Sequence, residues 1–254
     1  MSVTLQPESP LASPAEPSPS VWQRALLVFA RPTQAWAGLR EHAQWWFPVL
    51  LVALVTSVTM LAVYERSYLP MMTQGIERQV AEGQMSQQQL DRTEAFFAGP
   101  AGKAINLGFQ FLGVVLITLF VGFLYWLGGG FILGRPFGYR LGLEVAAWSG
   151  LVTLPGFVLQ NLLAYLQGVT VREVHVGFGI LLQGSEAPSR LTTGLMIFLD
   201  GLGPLAIWYV VVGILGLSAL SGAPRRASAW VMASLYLGMQ LLAAVIAGLT
   251  SHGA

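Results

Sequence analysis

The feature that most constrains this chain is a set of five long apolar runs. Residues 46–64 read WFPVLLVALVTSVTMLAVY, and comparable runs cover 106–132, 144–166, about 195–220 and 229–249. A helix needs about 20 apolar residues to cross the hydrocarbon core of a bilayer. Within lipid every backbone N–H and C=O must be bonded inside the protein, which helices of this length achieve and isolated strands do not. The expected fold is therefore an all-α integral membrane protein, a bundle of five transmembrane helices occupying residues 46–250.

Composition agrees and narrows function. Charged residues make up 10% of the chain, against roughly 25% in soluble domains. The net charge is +1, which gives no electrostatic case for nucleic acid as a partner. With no cysteine and three separated histidines (His42, His175 and His252), thiolate metal sites and cysteine nucleophiles are excluded and no histidine-rich ligand set is spelled out. No cofactor is expected. Arginine outnumbers lysine twelve to one, Lys103 being the lone lysine. With the richness in Ala and Gly, that bias points to a bacterial source.

Orientation follows from basic residues in the short loops. Arg24, Arg31 and Arg40 precede the first run, Arg135 and Arg140 lie between the second and third, and Arg225 and Arg226 between the fourth and fifth. The loops on the other side are longer and mix both signs. The density of basic residues places the N-terminus in the cytoplasm and the C-terminus outside, which for a bacterial chain means the inner membrane. Trp45 and Trp46 open the first run, and Trp126, Trp148 and Trp230 lie near inner ends, as interfacial anchors would.

The flanking segments have their own signals. Residues 1–20, rich in Pro and Ser, are expected to be a disordered cytoplasmic tail and lack the layout of a signal peptide. Residues 21–45 read as amphipathic juxtamembrane helices. Trp22, Leu26 and Phe29 share one helical face, and Pro32 is placed to start a second short helix through Leu39. That lead-in would lie flat in the membrane interface or pack beneath the bundle. In the first outer loop, Ser86 and Gln89 form a capping box, with Met85 and Leu90 as its hydrophobic staple. A helix over residues 70–83 followed by one from Ser86 to about Phe97 predicts a small extracytoplasmic helical hairpin at residues 70–98.

No catalytic motif appears: no HExxH, no GxSxG elbow, no phosphate-binding glycine loop. The glycines of LGGGF, Gly128 to Gly130, suit close helix packing or a bend. Ridges of small residues at Gly142, Ala146 and Gly150, at Ala229 and Ala233, and at Ala244 and Gly248 suit packing within the bundle or a homo-oligomer. The candidates for function are an ionisable residue and two interruptions of the spans. Asp200 is the one acid in the fourth run, acting either as a buried ionisable group or as the N-cap of a helix restarting at residue 201, with Pro204 in its first turn. Pro155 interrupts the third run. A small-solute or ion transporter or channel built on interrupted helices near Pro155 and Asp200 is one reading. A non-catalytic protein that organises membranes or binds partners is the leading one.

The order of short motifs resembles the Yip-type (Ypt/Rab-interacting) membrane protein family, in its bacterial branch. RPTQAWAGLREHAQWWFPVLLVAL is similar to that branch's entry into the first span, and FGYRLGLEVAAWSGLVTLPGFV to its central span. LDGLGPLAIWYVVVGILGLSALSGAPRRASAWV, with Asp200, Pro204 and Trp208, resembles the region from the family's acid to its last span. The resemblance covers residues 24–249 and implies five spans, membrane lipids and other membrane proteins as partners, and no catalysis. Gly150 and Pro155 match the family's central Gly-Tyr-x3-Pro pattern, but Leu151 stands where tyrosine is expected, and the acidic N-terminal signature is absent. The resemblance therefore does not carry GTPase binding to this chain.

Overall fold

The computed structural model describes residues 18–182 and 189–250. The expected tail lies mostly outside them. The described residues are all-α, with five helices long and apolar enough to cross a membrane: Trp46–Ala81, Pro100–Ile132, Tyr139–Gln167, Pro204–Ser221 and Arg225–Thr250. In finer detail the order is α1 (Val21–Ala30), α2 (Trp46–Val63), α3 (Leu69–Ala81), α4 (Gln87–Ala98), α5 (Pro100–Trp126), α6 (Tyr139–Gly150), α7 (Leu154–Gln167), α8 (Arg190–Asp200), α9 (Pro204–Ser221) and α10 (Arg225–Thr250).

The first three spans are each interrupted, and each break lies beside a proline or within a glycine run. A π turn at Tyr64–Tyr68 joins α2 to α3 just before Pro70, whose ring would clash with the carbonyl four residues back in a regular helix. A second π turn at Leu127–Ile132 extends α5. It contains the three glycines, and a Cβ on Gly128 would run into Val231 and one on Gly129 into Phe137. Those glycines thus serve both the bend and the close packing. Between α6 and α7 a 3-10 turn, Leu151–Thr153, precedes Pro155 in the first turn of α7.

Parts of the small-residue ridges pack within the chain. Gly142 sits against the backbone of Gly122 and Trp126, and Gly194 and Gly248 let α8 and α10 approach backbone to backbone at Ala244 and Arg190. Lipid-facing residues such as Phe109, Leu116, Phe120, Leu241 and Leu242 remain exposed on the outside of α5 and α10. The core lies between α2, α6, α9 and the lead-in, centred on Trp148, Trp36, Leu39, Leu217 and Met232.

One end of the bundle carries α1, the loop 133–138 and the loop 222–224; the opposite end carries α3, α4 and the loop between α7 and α8. At the α1 end, both Arg40 Nε (3.0 Å) and Nη2 (2.7 Å) donate to the Leu220 carbonyl. Arg140 donates to the carbonyls of Leu39 (3.0 Å) and Arg40. At the other end Ser86 caps α4 through the full capping box, Gly83 takes a left-handed φ of 73°, and α3 packs against α4 as a hairpin.

Three local expectations need correction. Residues 32–40 form successive turns, not a helix starting at Pro32. Gly38 there has φ 75°, a conformation that ends helical propagation, and Trp36 and Leu39 are drawn into the core. Trp148 is no interfacial anchor: it is buried, stacked on Phe47 at 6.0 Å. The fourth run is two helices, α8 and α9, broken at Gly201–Gly203, so the span begins at Pro204 and not near residue 195.

Candidate functional site

Two acids lie at opposite ends of the bundle, and their surroundings differ. Glu144, at the α1 end, has no solvent exposure. Its Oε1 accepts from the Gln44 backbone N–H at 2.7 Å and its Oε2 from Trp148 Nε1 at 3.1 Å. Arg140, one turn earlier, is 3.7 Å away. Arg24 is also fully buried. It donates to Gln44 Oε1 at 2.9 Å, to the Ala35 carbonyl and to the Pro19 carbonyl at 3.4 Å, and its guanidinium lies 5.6 Å from the centre of the Trp148 ring. Burial lowers the pKa of Arg24, and Glu144 acts in the opposite direction. Gln44 is the bridge: its side chain serves Arg24 and its backbone serves Glu144. Together they fasten α1 and the turns after it to the third span.

That network sets the face that α1 presents. Arg24 and Val28 are buried, while Leu26 (73% exposed) and Phe29 (40%) face outward and Trp22, 64% exposed, lies with its ring edge-on to Phe47 at 4.9 Å. Ser20 caps the helix through its own capping box with Gln23. Of the two expectations for the lead-in, packing against the bundle is seen on the face of Arg24 and Val28.

Asp200, at the other end, is the last residue of α8, not a cap of the helix that follows. Helical bonding continues past it, from Gly201 N–H to the Ile197 carbonyl at 3.2 Å. Gly203, in extended backbone, is the N-cap of α9, and Pro204 opens that helix, where its missing N–H costs nothing. The first-turn place expected for Pro204 is found, but the cap is one Gly-rich corner further on. An acid at a helix C-terminus meets the negative end of the dipole, and a compensating donor is present: His175 Nδ1 lies 2.5 Å from Asp200 Oδ2. Oδ1 is buried with no hydrogen-bond partner among the described residues.

The segment that brings His175 there is held down over the corner. Gln160 Nε2 donates to the carbonyls of Val171 (3.1 Å) and Val174 (2.9 Å), and Gly177 and Gly179 lie so close to Asp200 that neither could carry a side chain without displacement. Beneath the corner lies a cavity of about 710 Å³. Gly150, Asp200 and Pro204 line it; Pro155 and Trp208 do not, Trp208 packing on the core instead. Its polar groups include three tyrosines beside Thr118, Thr153 and Gln240: Tyr125 and Tyr209 share a hydroxyl–hydroxyl bond of 2.5 Å, and Tyr236 donates to the Gly201 carbonyl at 2.6 Å while accepting from Gln240 at 2.9 Å.

The sequence search passed over Glu144, Arg24, His175 and the tyrosines. A signal existed for the first two, a glutamate opening an apolar run and an arginine within the apolar lead-in. None existed for the His175–Asp200 pair, whose members are 25 residues apart. A comparison with protein-family models matches the Yip1 domain over residues 26–247. Comparisons with curated proteins and with solved structures return no match.

Proposed function

Because the chain belongs to the Yip1-domain family, we propose that it is a non-catalytic membrane-organising protein of a bacterial inner membrane, which engages lipid through α1. The supporting observation is the division of α1 into a fastened face and a free one. Arg24 and Val28 hold the helix rigidly to the bundle, so Trp22, Leu26 and Phe29 present a fixed apolar stripe at its edge. Such a stripe is suited to the boundary between headgroups and acyl chains, where Trp, Phe and Leu insert by roughly 5–10 Å. A helix fixed to five spans and inserted in one leaflet adds area to that leaflet only, which is a physical route to local membrane shaping. Binding of another membrane protein by the same stripe is the competing use.

The experiment places an environment-sensitive fluorophore on a cysteine at Leu26, in a chain that has no native cysteine, reconstituted in lipid nanodiscs. Insertion predicts a blue-shifted spectrum quenched by lipids brominated near the headgroup. A water-like spectrum without quenching would eliminate the lipid reading and leave the stripe for a protein partner. Orientation is tested with the same background. A cysteine at the exposed Gln88 is expected to react with an impermeant reagent in intact cells, and one at the exposed Pro224 only after permeabilisation. Opposite labelling would invert the orientation.

A further inference from the structure

The 710 Å³ cavity falls within the roughly 300–1,000 Å³ typical of small-ligand sites. It is long: its wall follows the third span from Ala146 to Leu159, about 20 Å at about 1.5 Å per residue, and ends under the Gly201–Pro204 corner. The wall is mainly aliphatic, with Val52, Val114 and Ala243 among its members. Among the lining residues there is no arginine, lysine or histidine, and the one acid, Asp200, turns its carboxylate away towards His175 and Gly179. A charged ligand group would be buried there without a counter-charge, which is costly. The cavity also reaches the lipid side of the bundle. Ile117 and Leu159 line it and are 51% and 47% exposed, and α5 packs against α9 and α10 mainly through its terminal π turn, Leu127–Ile132.

We propose that this cavity is a binding site for one acyl chain of a membrane phospholipid, entering sideways from the surrounding leaflet. The headgroup stays outside the cavity at the end beneath the Gly201–Pro204 corner. Gln240 Nε2 uses one of its two hydrogens on Tyr236 and has the other for the chain's ester carbonyl. The Tyr125–Tyr209 pair ties α5 to α9 across the wall and so sets the width of the slot. The site is independent of α1 and of how α1 meets the membrane.

Gly150 makes the test clean. It lines the cavity in helical backbone, and a Cβ there meets nothing within 4 Å, so a phenylalanine would enter the cavity without displacing backbone. Gly108, equally free of neighbours but on the exposed side of α5 and outside the cavity lining, is the control. The full-length protein is reconstituted in phosphatidylethanolamine–phosphatidylglycerol vesicles, extracted in mild detergent, delipidated stepwise and weighed by native mass spectrometry. Wild type and Gly108→Phe are expected to retain one phospholipid per chain, and Gly150→Phe to retain at least tenfold less at an unchanged melting temperature. Equal retention by all three would overturn the proposal, as would stoichiometric retention of a different amphiphile. Should Gly150→Phe fail to fold, wild type is photolabelled in vesicles with a phospholipid carrying a diazirine in its chain. Adducts on Leu205 and Met239, which line the cavity, support the site; adducts confined to the outward-facing Leu241 and Leu242 refute it.

Discussion

Glu144 and Asp200 are both acids at the level of membrane helices, yet they are held in opposite styles. Glu144 is closed to solvent and faced by groups from two segments: Gln44 before the first span, and Trp148 and Arg140 on its own helix. Asp200 is about a quarter exposed and among the described residues has one side-chain partner, His175, from a loop that lies across it. The first arrangement behaves as a rivet between the N-terminal segment and the third span. The second behaves as a clasp, joining a loop to a helix corner above a cavity. A buried charge is costly unless it is paired and hydrogen-bonded, and each oxygen of Glu144 has a donor, an arrangement suited to a structural role. Among the described residues Oδ1 of Asp200 has no hydrogen-bond partner.

The largest expected effect tests the rivet. Arg24→Ala or Glu144→Ala leaves a buried partner unmatched and should destabilise by about 3–5 kcal/mol, seen as a lower thermal midpoint and early proteolysis between residues 31 and 45. Glu144→Gln keeps one acceptor oxygen, for the Gln44 N–H or for Trp148 Nε1–H but not both, and its loss should be smaller, about 1–3 kcal/mol. If both Glu144 variants melt like wild type, the contrast with Asp200 has no energetic content.

The clasp should respond more gently. Replacing His175 and Asp200 by alanine singly and together should return a coupling of about 0.5–3 kcal/mol, with hydrogen exchange quickening in residues 171–182 while the spans stay protected. Asp200→Asn retains an oxygen that can meet His175 and should cost less than Asp200→Leu, which cannot. An Asp200→Leu protein as stable as Asp200→Asn would show that the pair contributes nothing.

The smallest effect compares the two capping boxes. Ser86→Ala should lose about 1 kcal/mol of local helix stability, read as faster amide exchange at Gln89 and Leu90. Ser20→Ala removes the same bonds from α1, but Arg24 anchors that helix within its first turn, so exchange at Gln23 should change less. Equal acceleration at both would mean the Arg24 network does not reinforce the helix start.

Several features were legible because their causes are local or set by the solvent. Five spans follow from apolar length alone, since lipid leaves the backbone no alternative to helix. Ser86 and Gln89 determine their helix start by reaching each other's backbone three residues apart. Close packing at Gly142 and Gly248 follows from the missing side chain, although which helix would approach did not. The Asp200 corner was misplaced for a specific reason. An acid before a glycine and a nearby proline suits an N-cap, and it suits the last residue of a preceding helix equally well. Only the folding of residues 190–199 as α8, capped by Ser189, separates the two. What the tertiary structure alone decided are the encounters between distant groups: Gln44 with Glu144, Tyr125 with Tyr209, His175 with Asp200, and Gly150 facing a cavity instead of a helix. Sequence periodicity states which residues share a face of one helix. Which other element that face meets depends on how five spans of nearly uniform apolarity rotate and tilt against each other, and that is settled by close packing and by the few polar groups that must find partners.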